Sequence, residues 1–304
     1  MSEQLSAAKV PVLYYIQKAD ECVNLYDKAS RAALKKRQFE WTSCGYYHDK
    51  IETGLVEGEL SESYLPVAIG GLETSNRGVK GENFARWFKN VEGVSESMSG
   101  WFNLSLENGV LTYEDENFHP VDGLFTMSFG LPIMVTADGD EEFEISADDD
   151  TFVYVGNRLV LDMGGIHSES TGRFIINENA EVYAGVGEES LAYTGVTLKK
   201  GEASVIRVFH ANRDSKNSVF GVKIYGMALG VVERNGETVV NYDSMNPGYV
   251  APLGESMTVA IDQSRIIAMA DNVKMLSFGI IAVCLTALIY AGLRYWQHGH
   301  NRGR

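Results

Sequence analysis

Short apolar runs separated by Gly, Asn and Asp dominate the middle of the chain, from about residue 45 to residue 229. The clearest of them are FEISA, TFVYV, RLVLDM, SVIRVF and VFGVKIYGMAL. Runs of strand length that are bounded by turn residues are typical of antiparallel sheets. A further hairpin, VVERNGETVV, carries Asn235-Gly236 at its tip, and this dipeptide favours a two-residue turn. The pattern predicts a mainly β domain over 45–229, a β-sandwich or barrel.

The first 44 residues follow a different period. Between residues 12 and 37, apolar side chains recur at helical spacing, as at Val12, Ile16 and Val23, while lysines occupy other positions. This spacing predicts an amphipathic helix within residues 1–44. It could pack on its own domain or dock on a partner, and we favour the first.

The most apolar stretch runs from Met275 to Leu293 and carries no charge. At roughly 1.5 Å per residue, about 19 residues make about 28 Å of helix, which matches the hydrocarbon core of a bilayer. Lys274 and Arg294 bracket the stretch, and aromatic residues follow it, as at membrane interfaces. The pattern predicts a transmembrane helix with a juxtamembrane turn over 266–296, preceded by a hairpin and linker over 230–265 and followed by a basic tail over 297–304.

Two indications of membrane orientation disagree. Residues Met1 to Val10 are polar and lack the apolar core of a secretory signal, so we expect an N-terminal domain made in the cytosol and a tail-anchored chain. The arginines after the apolar stretch would instead place the C-terminus in the cytosol. We give the first indication more weight, because a short tail crosses a bilayer more easily than a folded domain does.

Composition and motifs narrow the function classes. With 45% hydrophobic and 22% charged residues the chain is neither disordered nor polytopic, and a net charge of −15 argues against nucleic-acid binding by its main body. Three cysteines do not make a disulfide scaffold. No nucleophile elbow, zinc-protease motif, phosphate-binding loop or C-x-x-C occurs, and His119, His167 and His210 stand alone. We therefore do not expect an enzyme.

Acidic residues are unusually dense between positions 138 and 150, with no base among them. Asp148, Asp149 and Asp150 directly precede the apolar run TFVYV, where uncompensated charge would lie near a core. Carboxylates supply the hard oxygens that Ca²⁺ takes in sets of about six to eight. These three residues are therefore a predicted calcium site, with a solvated acidic loop as the alternative. The eight acids are Asp138, Asp140, Glu141, Glu142, Glu144, Asp148, Asp149 and Asp150.

Four segments resemble, in order, those of the fibro-slime family, a relative of the PA14 domain. The longest is ADDDTFVYVGNRLVLDMGGIH at 147–167, which is similar to the family signature. NFARWF, FHPVDG and VFHANRDSKNSVF, at 83–88, 118–123 and 208–220, resemble its other segments. The chain departs from the family pattern at Ala147, Phe152, Gly156-Asn157 and Asn212.

The resemblance implies a PA14/fibro-slime-like β-sandwich with an interaction role, and it does not imply a reaction. In related PA14 adhesins, an Asp pair at the positions of Asp148 and Asp149 binds Ca²⁺ and, through it, sugar hydroxyls. The resemblance thus points to the same cation site that the acidic run predicts.

Two functions fit these expectations. The first is a membrane-anchored structural protein that contacts other proteins of an assembly, such as a minor capsid protein between the internal membrane and the shell of a large DNA virus. Its basic tail would then meet genomic DNA. The second is a Ca²⁺-dependent carbohydrate-binding adhesin on a cell surface, which would need export of the N-terminal domain. We favour the structural function.

Overall fold

The computed structural model describes residues 7–18, 50–70, 81–213, 218–243 and 255–258. In this part of the chain, strands dominate and a single short α-helix occurs. The chain divides into two compact units, Met1–Ala260 and Ile261–Arg304, and every described strand belongs to the first. The expectation of a mainly β protein is confirmed.

The described residues of the first unit form fifteen strands. In chain order they are β1 Ala7–Gln17, β2 Ser95–Glu107, β3 Val110–Asp115, β4 Phe125–Met134, β5 Glu141–Ala147, β6 Thr151–Val155, β7 Arg158–Met163, β8 Ser170–Ile176, β9 Glu181–Val186, β10 Ala192–Thr197, β11 Ala203–Asn212, β12 Phe220–Tyr225, β13 Ala228–Arg234, β14 Glu237–Val240 and β15 Glu255–Thr258. The helix α1, Gly81–Phe84, precedes β2.

The strands hydrogen-bond in the order β10-β9-β8-β5-β12-β3-β2-β1-β14-β13-β4-β11-β6-β7, and β15 joins β13. Strand β1 is the hub of this order. It pairs antiparallel with β2 along its whole length and antiparallel with β4 from Val12 to Ile16, and it meets β14 in parallel. Strand β1 therefore connects the strands from β10 to β2 in this order with those from β14 to β7.

The strands on the two sides of β1 in this order face each other across one apolar core. Phe129 of β4 lies 5.0 Å, centroid to centroid, from Phe102 of β2 and 6.1 Å from Phe220 of β12. On β5, alternation points Phe143 and Ile145 into this core and turns the residues between them outward. Two sheet layers around one core form the expected β-sandwich.

A second, smaller core covers the opposite face of β6 and β11. The segment 50–70 and the residues around α1 pack there, and Phe88 lies 5.2 Å from Phe209. Both faces of β6 are thus buried, which explains why TFVYV is apolar throughout instead of alternating.

The predicted N-terminal helix is wrong where the structure describes it. Residues Ala7–Gln17 form strand β1, whose residues pair one to one with β2 from Ser105 back to Ser95. Val10, Val12 and Tyr14 all point into the main core at a period of two. Val12 and Ile16 fit a helical and a strand period equally well, and the pairing with β2 and β4 decides between them. Residues 19–49 lie outside the described part.

The other predictions have mixed outcomes. The hairpin at Asn235-Gly236 is confirmed as β13 and β14, and both turn residues have the positive φ that a type I′ turn requires. The β domain extends beyond the predicted bounds 45–229, because β1, β14 and β15 also belong to the sheet. Strand β15 lies within the predicted linker. None of the helices in the described ranges has the length and apolar character to cross a bilayer. The predicted transmembrane helix and basic tail lie outside those ranges.

Candidate functional site

Segments that resemble the fibro-slime family meet where β6 begins and β11 ends. Antiparallel pairing sets Thr151 opposite His210, so the residues just before β6 lie beside those just after β11. The N–H of Ala211 donates to the carbonyl of Asp150 at 2.9 Å. This register brings Asp149 and Asp150 against Arg213, although more than sixty positions of chain separate them.

Arg213 and Asp150 form a fully buried ion pair. The guanidinium Nε lies 2.8 Å from Asp150 Oδ2, and both side chains have 0% exposure. The guanidinium carbon also lies 5.1 Å from the ring centroid of Trp87, a distance at which a cation is attracted to the face of an aromatic ring. Arg213 is therefore held between a carboxylate and an indole, away from water.

Backbone donors complete this arrangement. The N–H of Gly165 donates to Asp150 Oδ1 at 2.7 Å, and the N–H of Arg213 donates to Asp149 Oδ2 at 2.7 Å. We call the set Trp87, Asp149, Asp150, Gly165 and Arg213 the Arg213 junction. It ties the loops after β7 and β11 and the segment after α1 to the start of β6.

The junction buries two carboxylates against one guanidinium. Burial raises the pKa of Asp149 well above its ordinary value, and the neighbouring charge of Asp148 raises it further. The charge of Arg213 acts in the opposite direction. Asp149 is thus the acid of the junction whose charged form burial disfavours.

The two histidines nearby are buried core residues. His210 has its Nδ1 3.0 Å from the hydroxyl of Thr151, and burial lowers the pKa of His210 to about 3. It is therefore neutral near pH 7. The ring nitrogens of His167 lie 2.7 Å from the carbonyl of Ser168 and 3.2 Å from that of Met163. Both imidazoles therefore lie beside polar groups within the core.

The acidic run is distributed over the fold, and bases from other elements compensate it. Lys200 lies 3.3 Å from Asp138, Arg173 of β8 lies 4.0 Å from Glu142, and Lys223 of β12 lies 3.3 Å from Glu144. Glu141 is buried and accepts the N–H of Thr136 at 2.9 Å; burial raises the pKa of Glu141. These residues therefore do not form one cluster around a common centre.

The residues of the predicted calcium site do not fit a resident calcium ion in this arrangement. Asp150 Oδ1 and Asp149 Oδ2 accept backbone N–H groups, and Asp150 Oδ2 lies 2.8 Å from the guanidinium Nε of Arg213, whereas Ca²⁺ requires about six to eight oxygens directed at itself. Asp148 is only half-buried. Within the described ranges, no group of three or more His, Cys, Asp or Glu side chains is arranged to hold a metal ion. The cation beside these carboxylates is the guanidinium of Arg213.

Sequence reasoning did not recognise Arg213 as the partner of the Asp run. The residue stood only in the last segment of the family resemblance, and no local spacing relates positions 150 and 213. The one usable signal was that Asp148–Asp150 directly precede the apolar run TFVYV, while Arg213 lies four residues after the run SVIRVF, and these two runs could pair.

Comparison with known proteins gives partial matches. No family model matches the chain. It is 26% identical to protein psiQ of Dictyostelium discoideum over 147 residues, covering 40% of this chain and 15% of psiQ. It is 25% identical to psiH of the same organism over 168 residues, covering 47% of this chain and 21% of psiH. A shorter match to psiP reaches 53% identity over 34 residues, 11% of this chain and 4% of psiP. The chain thus spans much less than half the length of these relatives.

Two solved structures align over most of the chain at low similarity. The PA14 domain of the antifreeze protein MpAFP aligns with a TM-score of 0.26 and 12% identity, over 79% of this chain and 90% of that domain. The second structure is the A domain of epithelial adhesin 6 from Candida glabrata, solved in complex with Galb1-3GlcNAc. It aligns with a TM-score of 0.21 and 11% identity, over 86% of this chain and 91% of that domain. Scores this low carry no argument about function.

Proposed function

We propose that this chain is a non-enzymatic structural protein, anchored in a membrane by the segment Met275–Leu293, whose β-sandwich contacts other proteins of an assembly. A minor capsid protein, placed between the internal membrane and the shell of a large DNA virus, is the form of this function that we favour. The basic tail over 297–304 would then face genomic DNA.

The Arg213 junction is the observation that carries the proposal over its alternative. A Ca²⁺-dependent adhesin needs the Asp run to hold a cation that in turn holds a sugar. Here Arg213 pairs with Asp150 at 2.8 Å with both side chains buried, so Asp150 is directed into the fold. An inward-directed ion pair ties loops together and supports a structural role.

Protease treatment of sealed microsomes tests the proposal. The full chain, with an epitope tag at its N-terminus, is synthesised in the presence of microsomes and treated with protease with and without detergent. We expect the tagged domain to be digested without detergent, because the structural function keeps it on the cytosolic side. A domain that is protected until detergent is added would contradict the proposal and support the exported adhesin.

A further inference from the structure

Strands β2 and β3 separate soon after the turn that joins them. Their ladder covers residues 105–107 of β2 and residues 110–112 of β3. From residue 104 back to residue 96, β2 pairs with β1 on its other side, whereas β3 continues beside β12 up to Asp115. Between residues 96 and 104, the described ladders therefore cover one edge of β2. We call the opposite edge of these nine residues the β2 edge.

A groove of about 340 Å³ lies where the two strands separate. Met98 and Gly100 of β2 line one side of it, and Tyr113 and Asp115 of β3 line the other. The ring of Tyr14 forms part of the floor, since it lies across Gly100, where a Cβ atom would come within 2.6 Å of Tyr14 Cε2. The groove therefore lies directly beside the β2 edge, on the side of β2 that faces the main core.

The two outermost strands of the network are protected against pairing with other chains. Strand β10 is six residues long, and its pairing with β9 contains a shift of register. Strand β7 is covered, since the N–H of Leu159 donates to the carbonyl of Gly58 and the N–H of Leu60 donates to the carbonyl of Asn157, each at 3.0 Å. Short strands, irregular register and covering segments are common means of preventing strand addition at a sheet edge.

The β2 edge is built differently. Its residues, ESMSGWFNL, include neither proline nor lysine, the residues with which natural edge strands discourage an added strand. They pair with β1 one to one over their whole length, without a bulge. The β2 edge is therefore long and regular, as a template for a further strand would be.

Exposed apolar side chains flank the β2 edge on both faces. Met98 is 39% exposed and Trp101 is 56% exposed, and they are two of the four exposed large apolar side chains in the described part of the chain. Alternation places them on opposite faces of β2. An added strand would contact both, because neighbouring strands bring side chains together on each face. We propose that the β2 edge binds an extended segment of a partner protein as an added strand. This inference names a binding mode for the proposed assembly role and so rests on it.

The groove favours a single extended segment over other occupants. A further strand lies about 4.8 Å from its neighbour and exchanges main-chain hydrogen bonds with it, whereas a helix uses its backbone groups internally. A second copy of this chain would bring β1 along with β2, because the two strands pair along their whole length, and β3 bounds the groove on its far side. The groove is thus suited to one strand without a sheet behind it.

The walls of the groove indicate the chemistry of the segment. Side chains that enter it would meet Met98 and the rings of Tyr14 and Tyr113, so they should be apolar. Every second residue of a strand points to the same face, so apolar residues should alternate along the segment. The net charge of −15 further favours a neutral or basic segment over an acidic one.

Fluorescence anisotropy on the purified full chain, in an uncharged detergent, tests the inference. The probe is the labelled peptide Lys-Thr-Val-Thr-Phe-Thr-Val-Thr-Lys, in which apolar residues alternate with threonine. Its control has the same sequence with methylated backbone nitrogens, so it keeps the side chains and loses the main-chain donors. We expect the probe to bind about tenfold more tightly than the control, or better, because several main-chain hydrogen bonds depend on those donors.

Amide hydrogen exchange, resolved by residue, locates the binding. In an antiparallel strand, alternate amides point to opposite edges. Every second amide of residues 96–104 should therefore exchange rapidly in the free chain and slowly when the probe is bound, while the amides of β10 should be unchanged.

Two variants with the same change at matched exposure separate the β2 edge from general attraction. Met98→Lys places a charge beside the groove and should weaken binding about tenfold. Val67→Lys makes the same change at a side chain that is 40% exposed, against 39% for Met98, and should bind as wild type does. Should Met98→Lys fail to fold, hydrogen exchange on the unaltered chain still decides.

Equal binding of the probe and its methylated control would overturn the inference, as would the absence of binding at about 1 mM probe. Protection that appears at another strand would also overturn it. So would slow exchange of all amides of residues 96–104 in the free chain, because the chain itself would then cover the β2 edge. The microsome assay does not enter this test, so the two proposals fail separately.

Discussion

Removing the guanidinium from the Arg213 junction should destabilise the fold strongly. In the variant Arg213→Met, an unbranched apolar side chain of similar length fills much of the space, so the main effect is the loss of charge. The carboxylates of Asp149 and Asp150, with 1% and 0% exposure, would then lie in the core without a buried cation. Breaking a buried ion pair by deleting one partner costs about 3 to 5 kcal/mol.

That cost can be measured by thermal and denaturant unfolding of the full chain, followed by far-UV circular dichroism. For a unit of this size a loss of 1 kcal/mol lowers the melting temperature by about 2 to 4 °C, so we expect a decrease of roughly 6 to 20 °C. Arg173→Met is the matched control. Its side chain is 45% exposed and lies 4.0 Å from Glu142, so its effect should stay within about 0.5 kcal/mol.

A double-mutant cycle identifies the cause. Asp150→Asn keeps an acceptor for the N–H of Gly165 but leaves Arg213 without its charged partner, so it should also be destabilising. In the double variant neither charge is buried alone, and the coupling between the two changes should amount to about 1 to 3 kcal/mol. If Arg213→Met costs less than about 1 kcal/mol, or if the two changes add without coupling, the reasoning about a buried ion pair is refuted.

The remaining predictions concern the metal, the pH and the membrane. Millimolar calcium should raise the melting temperature of the full chain no more than magnesium does, because Asp149 and Asp150 are already engaged by Arg213 and by backbone N–H groups; a rise that is specific to calcium and absent in Asp149→Asn would support the predicted metal site. Burial raises the pKa of Asp149 above its unfolded value, so between the two values the native state binds a proton that the unfolded state has lost, and stability falls as the pH rises through that window. Asp149→Asn keeps an acceptor for the N–H of Arg213, so above the window it should be more stable than wild type in urea titrations, with the difference vanishing at low pH; a variant less stable than wild type throughout would contradict this. Carbonate extraction should leave the full chain in the membrane pellet, and a chain ending before Asp271 should appear in the supernatant; recovery of the full chain in the supernatant would argue against the predicted span.

Sequence patterns were sufficient for the elements whose information is local. FEISA and TFVYV became β5 and β6, and Asn235-Gly236 became the turn between β13 and β14. Strand length, apolar content and turn type depend on a few neighbouring residues, so they can be recognised without knowing the partner strand.

Only the tertiary structure determined that residues 7–17 form a strand and that the Asp run lies beside Arg213. Residues 12–17 fit a helix and a strand alike, and hydrogen bonds to β2 and β4, far along the chain, select the strand. Asp148–Asp150 follow the pattern of a calcium site in the sequence, and the register of β6 against β11 places Arg213 beside them. In both cases the deciding interaction joins residues remote in sequence, and no local period or spacing encodes which distant segment supplies the partner.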